Sequence, residues 1–264
     1  MRSLIASFKI FLLLVICLIT VPLQTLSFLL LGKGRAAFIV PFLFHRSLCF
    51  VFGIKVRIQG EIKANQQVVY VGNHLSYLDI ILMGSFLRAN FVSKDDVKGW
   101  PLLGLLATLS HTLFISRTPA KALKSIEQMK KALNQKRSLI VFPEGTSSTG
   151  QEVQPFKSSF FDIFLKNDVK ESLLVQPFTI GLIKTDNKAV QNDKDYDLYA
   201  WYGDMGLQPH IWALGKSKGA QLIVRFHPPK AAKEYENRKT LSIECYEQVS
   251  RGLNDIKKEY LEAA

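Results

Sequence analysis

Val68-Val69-Tyr70-Val71-Gly72-Asn73-His74-Leu75-Ser76-Tyr77-Leu78-Asp79 joins a strand to a helix. The run from Val68 to Val71 is short, β-branched and ended by glycine, the pattern of a buried strand. Tyr77 to Leu87 is apolar, with Gly84 as its one breaker, and reads as a helix. His74 therefore falls at the strand-to-helix turn. Five helical steps rotate by about 500°, which leaves two residues about 140° apart. His74 and Asp79 meet only if the histidine lies in the loop and the aspartate in the first helical turn. A histidine held by a carboxylate is a general base, because the carboxylate fixes the tautomer and stabilises the imidazolium. The competing reading is structural: His74 caps the helix and Asp79 favours its dipole.

With 264 residues, 48% apolar, the chain has enough for one α/β domain and an apolar appendage. Net charge is +12, which suits nucleic acid or an anionic membrane surface. The N-terminus favours the membrane and no nucleic-acid partner. Ile10–Leu31 is 22 residues without a charge, enough to cross a hydrocarbon core of about 30 Å. It is too long for a signal peptide, and Gly32-Lys33-Gly34-Arg35 follows it in place of a small-residue cleavage site. A second apolar run, 36–54, completes a two-helix membrane-association element, residues 1–53, ahead of an α/β domain at 54–264. Pro22 and Gln24 leave a spanning helix and a re-entrant hairpin both open. Lys33, Arg35, Arg46, Lys55 and Arg57 outweigh Arg2 and Lys9, which puts the domain on the cytoplasmic side of a spanned membrane. Cys17, Cys49 and Cys245 are scattered and indicate neither a disulfide framework nor a zinc site.

Strand patterns recur at 54–59, 67–72, 90–93, 112–115, 138–142, 173–183 and 220–226. Helix patterns lie at 77–88, 102–109, 119–136, 156–166, 207–214 and 240–264. The alternation predicts an α/β fold with a mostly parallel sheet flanked by helices. Thr118-Pro119 opens the 119–136 helix with a hydroxyl cap and a first-turn proline. The polar, Asp- and Tyr-rich 184–204 stretch reads as an excursion over the surface. Gly215-Lys216-Ser217-Lys218-Gly219 fits G-x-S-x-G, but a helix precedes it and a strand follows, the reverse of a nucleophile elbow.

Three polar loops leave the C-terminal ends of strands, the edge at which α/β sheets carry their sites. They hold His74 and Asp79, then Arg117, then the 143–149 stretch. Phe142-Pro143-Glu144-Gly145-Thr146-Ser147-Ser148 supplies a glycine and hydroxyls of the kind that cradle an oxyanion, or else an ordinary strand-to-helix loop. Arg117 is a phosphate fork or a surface ion-pair member. No activated serine or cysteine is in evidence, which points to a nucleophile on the substrate.

In combination and order these blocks resemble the 1-acylglycerol-3-phosphate acyltransferase family of glycerophospholipid acyltransferases, bacterial type, over about residues 50–230. Its NHxxxxD block is matched by Asn73 to Asp79, its second by Phe114-Ile115-Ser116-Arg117, its FPEGTRS block by Phe142 to Ser148, and its apolar-strand proline by Pro177. Lys157 falls in the FKxxxF-like run that follows the third block. The resemblance implies a membrane-bound O-acyltransferase of the bacterial inner membrane, active on the cytoplasmic side. It implies His74 as general base with Asp79 as its partner, and acceptor binding by Arg117, Glu144, Gly145, Thr146, Ser147 and Lys157. It implies no bound cofactor. Acyl-CoA or acyl carrier protein is the thioester donor, and 1-acylglycerol-3-phosphate is the expected lysolipid acceptor. Ser147 stands where the family has an arginine, so another head group, such as that of lyso-ornithine lipid, is an alternative. A non-catalytic membrane adaptor would explain the N-terminus and the charge, but not the His/Asp pair.

Overall fold

The computed structural model describes residues 1–30, 35–100, 102–116 and 119–262. Two helices come first, α1 (Arg2–Leu30) and α2 (Ile39–Phe52). The α/β body follows as β1 (Lys55–Gln59), β2 (Val68–Gly72), α3 (Leu78–Gly84), β3 (Asn90–Lys94), α4 (Leu103–Leu109), β4 (Leu113–Ile115), α5 (Pro119–Asn134) and β5 (Leu139–Val141). It continues with α6 (Asn167–Lys170), β6 (Leu174–Thr185), β7 (Lys188–Ala189), α7 (Asp193–Tyr196), α8 (Leu207–Lys216), β8 (Ala220–Phe226), β9 (Lys230–Ala231) and α9 (Arg238–Lys257).

The sheet runs β1-β8-β6-β2-β5-β3-β4. Neighbours along it are parallel except β6 and β8, and the short strands β7 and β9 pair antiparallel with β6. β2 lies between β6 and β5, and all five of its residues are buried, as a strand covered on both faces requires. Alternate residues divide the core. Tyr70, Ile140 and Phe178 pack with Phe44, Leu48, Leu82 and Leu214 from α2, α3 and α8. Val69, Val71 and Val141 pack with Met129, Leu133, Val249 and Leu253 from α5 and α9. Each such side chain contributes about 1.5–3 kcal/mol of burial. β2, β5 and β4 run in the same direction, so the loops after them leave one edge of the sheet.

α1 lies along the body and is tied to it near both ends. Arg2 pairs with Asp186 at 3.3 Å, Lys9 donates to the Ser217 carbonyl at 2.8 Å, and Gln24 donates to the Leu109 carbonyl at 2.6 Å. At the crossing with α8 a side chain on Gly215 would come within 3.2 Å of Ala6 Cβ, so glycine permits the close approach. The opposite face exposes Leu4, Phe8, Phe11, Leu14 and Leu18, a stripe at helical spacing. The Gly32–Arg35 link between the apolar runs lies largely outside the described residues, as do Arg117 and Thr118.

Three sequence expectations change. The helix after His74 stops at Gly84 and does not reach 88: the Ser85 hydroxyl donates to the Leu82 carbonyl at 2.6 Å and the Phe86 N–H turns back to Met83, three residues away, so the last turn tightens. The helix expected at 156–166 is a 3₁₀ run, Ser158–Leu165. Its Phe161 and Phe164 recur at three, the 3₁₀ repeat, and both are fully buried. The 184–204 stretch is a surface excursion only in part: 191–194 and 203–204 are exposed, but Tyr199 and Ala200 are buried and the segment packs onto the His74 loop. By contrast, the Gly215–Gly219 stretch ends α8 and turns, over 217–219, into β8 as expected, with Ser217 Oγ donating to the Leu214 carbonyl.

Candidate active site

β2 ends at Gly72, and the lack of a side chain there lets the Phe178 ring lie against the backbone; a Cβ would come within 2.3 Å of it. Asn73 then locks the strand end to β6, its amide donating to the Ile180 carbonyl at 2.9 Å and its oxygen accepting from the Ile180 N–H at 2.8 Å. This fixes where the chain turns. His74 follows in the loop, and Asp79 occupies the first turn of α3. The loop–helix junction demanded by the spacing is the one observed.

His74 Nδ1 and Asp79 Oδ2 are 2.8 Å apart. The same oxygen accepts from the N–H groups of Leu75 at 2.7 Å and Ser76 at 3.0 Å. Tyr199 donates its phenol proton to the other oxygen, Oδ1, at 3.0 Å. Four donors thus converge on a carboxylate with no exposed surface. Because Oδ2 serves as an acceptor for two amides, Nδ1 carries the imidazole proton and Nε2 holds the free lone pair. The His74 side chain keeps 18% of its surface exposed, and among the described residues no hydrogen bond ends on Nε2. Its ring stacks on Phe142 with centroids 4.3 Å apart, and Phe142 is backed edge-on by Phe178.

The 142–148 loop grips the histidine's main chain from both sides. Glu144 Oε1 accepts from the His74 N–H at 3.4 Å, and the Ser148 N–H donates to the His74 carbonyl at 2.9 Å. Glu144 is buried, which pushes its carboxyl up to about 8; the nearby Asp79 charge adds to the rise, while donors from His74, Gln154 and Ser148 oppose it. Gly145 adopts φ +73°, a conformation open to glycine. Lys157 lies over it, so close that a Cβ would sit 2.7 Å from Nζ. Thr146 is exposed at the loop tip. Ser147 Oγ donates to the Trp201 carbonyl at 2.5 Å, and the Trp201 N–H donates to the Leu75 carbonyl at 2.9 Å. The structure therefore brings His74, Asp79, Glu144, Gly145, Ser147 and Lys157 together, while Arg117 lies outside the described residues. Among the described residues, no three His, Cys, Asp or Glu side chains gather as metal ligands would.

Sequence reasoning missed Tyr199, Trp201 and the stacking role of Phe142. The aromatic residues of 196–202 were the available signal: four rings in seven residues is unusual for a solvated loop.

The acyltransferase family model matches residues 53–181, from the approach to β1 through most of β6. The chain is 30% identical over 206 residues to a lyso-ornithine lipid O-acyltransferase of Rhodobacter capsulatus, an alignment covering 77% of this chain and 71% of that one. The chain belongs to the acyltransferase family. Another acyltransferase of this kind, the 1-acyl-sn-glycerol-3-phosphate acyltransferase of Limnanthes douglasii, is 32% identical over 62% of each chain. The fold is also that of the 1-acyl-sn-glycerophosphate (LPA) acyltransferase PlsC from Thermotoga maritima, with TM-score 0.71, 20% identity and coverage of 97% and 98% of the two chains. As an acyltransferase, this chain is an enzyme, and the adaptor alternative falls away.

Proposed function

We propose that this acyltransferase moves a fatty acyl group from a thioester donor, acyl-CoA or acyl carrier protein, to the free hydroxyl of a lysolipid, with lyso-ornithine lipid as the acceptor. The observation that carries the chemistry is the His74–Asp79 pair with an open Nε2. Nε2 takes the hydroxyl proton as the oxygen attacks the thioester carbonyl. The C–O bond forms, the tetrahedral intermediate collapses with loss of the C–S bond, and the proton passes to the departing thiolate.

Two observations favour the ornithine head group over a phosphate. Ser147 takes the place of the family's arginine, and its hydroxyl is engaged by the Trp201 carbonyl. Lys157, over Gly145, is then the cation at this loop. Among the described residues this loop thus offers one ammonium, which pairs with an ornithine carboxylate, whereas a phosphate monoester carries about −1.5 to −2. Lyso-ornithine lipid O-acyltransferases also recur among the similar proteins, as in Rhizobium meliloti at 29% identity over 92% of this chain. Gly145, Thr146 and Lys157 are the proposed head-group contacts.

The membrane role rests on the outer stripe of α1, seated in one leaflet of the inner membrane on the cytoplasmic side and assisted by the chain's positive charge. Full extraction of a 16-carbon lysolipid would cost on the order of 12 kcal/mol, so a site held at the interface has only to lift the head group.

The test is purified protein in mixed micelles with lyso-ornithine lipid or 1-acylglycerol-3-phosphate, each with acyl-CoA or acyl carrier protein, and products read by mass spectrometry. Acylation of lyso-ornithine lipid at the higher kcat/KM supports the reading. Preference for 1-acylglycerol-3-phosphate contradicts the head-group assignment, and no acyl transfer to either contradicts the function.

A further inference from the structure

Tyr199 belongs to a segment that the family model does not cover, since the match ends at residue 181. It follows the α7 turn, in which Asn192 and Asp195 cap each other's backbone in a reciprocal capping box. Beyond it Trp201 is fastened twice to the site, through its N–H to Leu75 and its carbonyl to Ser147. The segment is thus anchored on both sides of Tyr199. Between these anchors the phenol enters the protein completely, with no exposed surface, and ends 3.0 Å from Asp79 Oδ1. Burial, together with the Asp79 charge and the bond to it, raises the phenol well above its ordinary value, so it stays a donor.

We infer that Tyr199 is a positioning residue, whose hydroxyl fixes the Asp79 carboxylate and through it the orientation and tautomer of the His74 imidazole. The argument is one of geometry. Oδ2 is already committed to His74 Nδ1 and to two amides on the same short loop. Those three donors share one oxygen and leave the carboxylate free to pivot about it. A donor on Oδ1 from a different part of the chain removes that freedom. It also makes the 190–202 segment part of the site: a shift of the segment turns the carboxylate, and the carboxylate turns the imidazole. The inference rests on the reading of His74 as general base, but makes its own prediction about the histidine ring.

The experiment compares wild type with Tyr199→Phe, and with Tyr199→Met as a second donor-free variant. Thermal melts establish folding, steady-state kinetics give kcat and KM, and ¹⁵N imidazole spectra report the His74 tautomer. The expected result is a kcat lower by about 10- to 100-fold with acceptor KM within about twofold, since small misplacement of a reacting group costs rates of that order. The His74 signal should move from a single Nδ1–H tautomer toward a mixture. In an Asp79→Asn background the further loss of kcat from Tyr199→Phe should shrink to less than about threefold, because the two act through one contact. A folded variant with kcat within about threefold of wild type and an unaltered His74 spectrum overturns the inference. So does a loss carried by KM, or failure of both variants to fold, which would make Tyr199 a packing residue. Failure of the base reading looks different: His74→Ala would keep its activity while the tautomer shift in Tyr199→Phe still appears.

Discussion

The hydroxyl of Ser147 donates to the main-chain carbonyl of Trp201, 2.5 Å away, at the loop position that is an arginine in the FPEGTRS block this loop resembles. A side chain that would otherwise supply charge here ties down the segment carrying Tyr199. Ser147→Ala should loosen that segment and lower kcat/KM about fivefold, in proportion to the roughly 1 kcal/mol a hydrogen bond contributes. Ser147→Arg should restore a cation and raise the ratio of activity on 1-acylglycerol-3-phosphate to that on lyso-ornithine lipid. Paired kinetics on the two acceptors check this, and an unchanged ratio would separate residue 147 from head-group choice.

Glu144 makes stability depend on pH in a defined direction. Its folded-state value of about 8 lies above the ordinary 4.5, so the folded chain holds the proton more tightly than the unfolded one. The resulting stability is complete below about pH 4.5, declines as pH rises, and is gone above about pH 8, at roughly 1.4 kcal/mol per unit over that window. Glu144→Gln is neutral throughout and lacks this decline. Urea unfolding of both proteins from pH 5 to 9 should show the variant gaining on wild type up to about pH 8 and then holding level. A difference independent of pH would mean that Glu144 is ionised in the folded protein.

Lys157 and Gly145 form one contact, with the ammonium 2.7 Å from where a Cβ would be. Lys157→Glu should lower acceptor kcat/KM by about tenfold or more, since a charge-assisted hydrogen bond contributes about 1.5–3 kcal/mol. Gly145→Ala should cost about 1 kcal/mol of stability at φ +73° and displace the lysine as well. Acceptor kinetics and thermal melts check the pair. Wild-type kinetics in Lys157→Glu would remove the lysine from the site.

The outer stripe of α1 offers a test that leaves the chemistry alone. Leu14 and Leu18 are exposed, whereas Lys9 and Gln24 hold the helix to the body. Each leucine contributes about 1.5–3 kcal/mol when taken out of water. Leu14→Glu/Leu18→Glu should lose at least about 100-fold in partition to anionic vesicles, measured by sedimentation, while keeping activity on micellar substrate. Unchanged partition would place the membrane contact elsewhere.

The sheet edge was legible because strand and turn signals are local. Gly72 ends β2, and the His74–Asp79 spacing required the loop–helix junction that exists. The family blocks then located Glu144, Gly145 and Lys157 beside it. Contacts between distant segments were not legible. Gly84 makes room for the imidazole of His45, far away in α2. Tyr199 reaches Asp79 across 120 residues, and its polar surroundings in sequence mimic a solvated loop. Ser147 was legible as a departure, but its partner was not, because a main-chain carbonyl leaves no mark on the sequence.

The central claim is that His74 Nε2 removes the acceptor's proton, and single-turnover acyl transfer by His74→Ala tests it most directly. With wild-type melting behaviour and saturating acceptor and thioester, the variant should form product at least about 10²-fold more slowly, the lower bound for losing a positioned general base. A folded variant whose rate stays within tenfold of wild type would contradict the account.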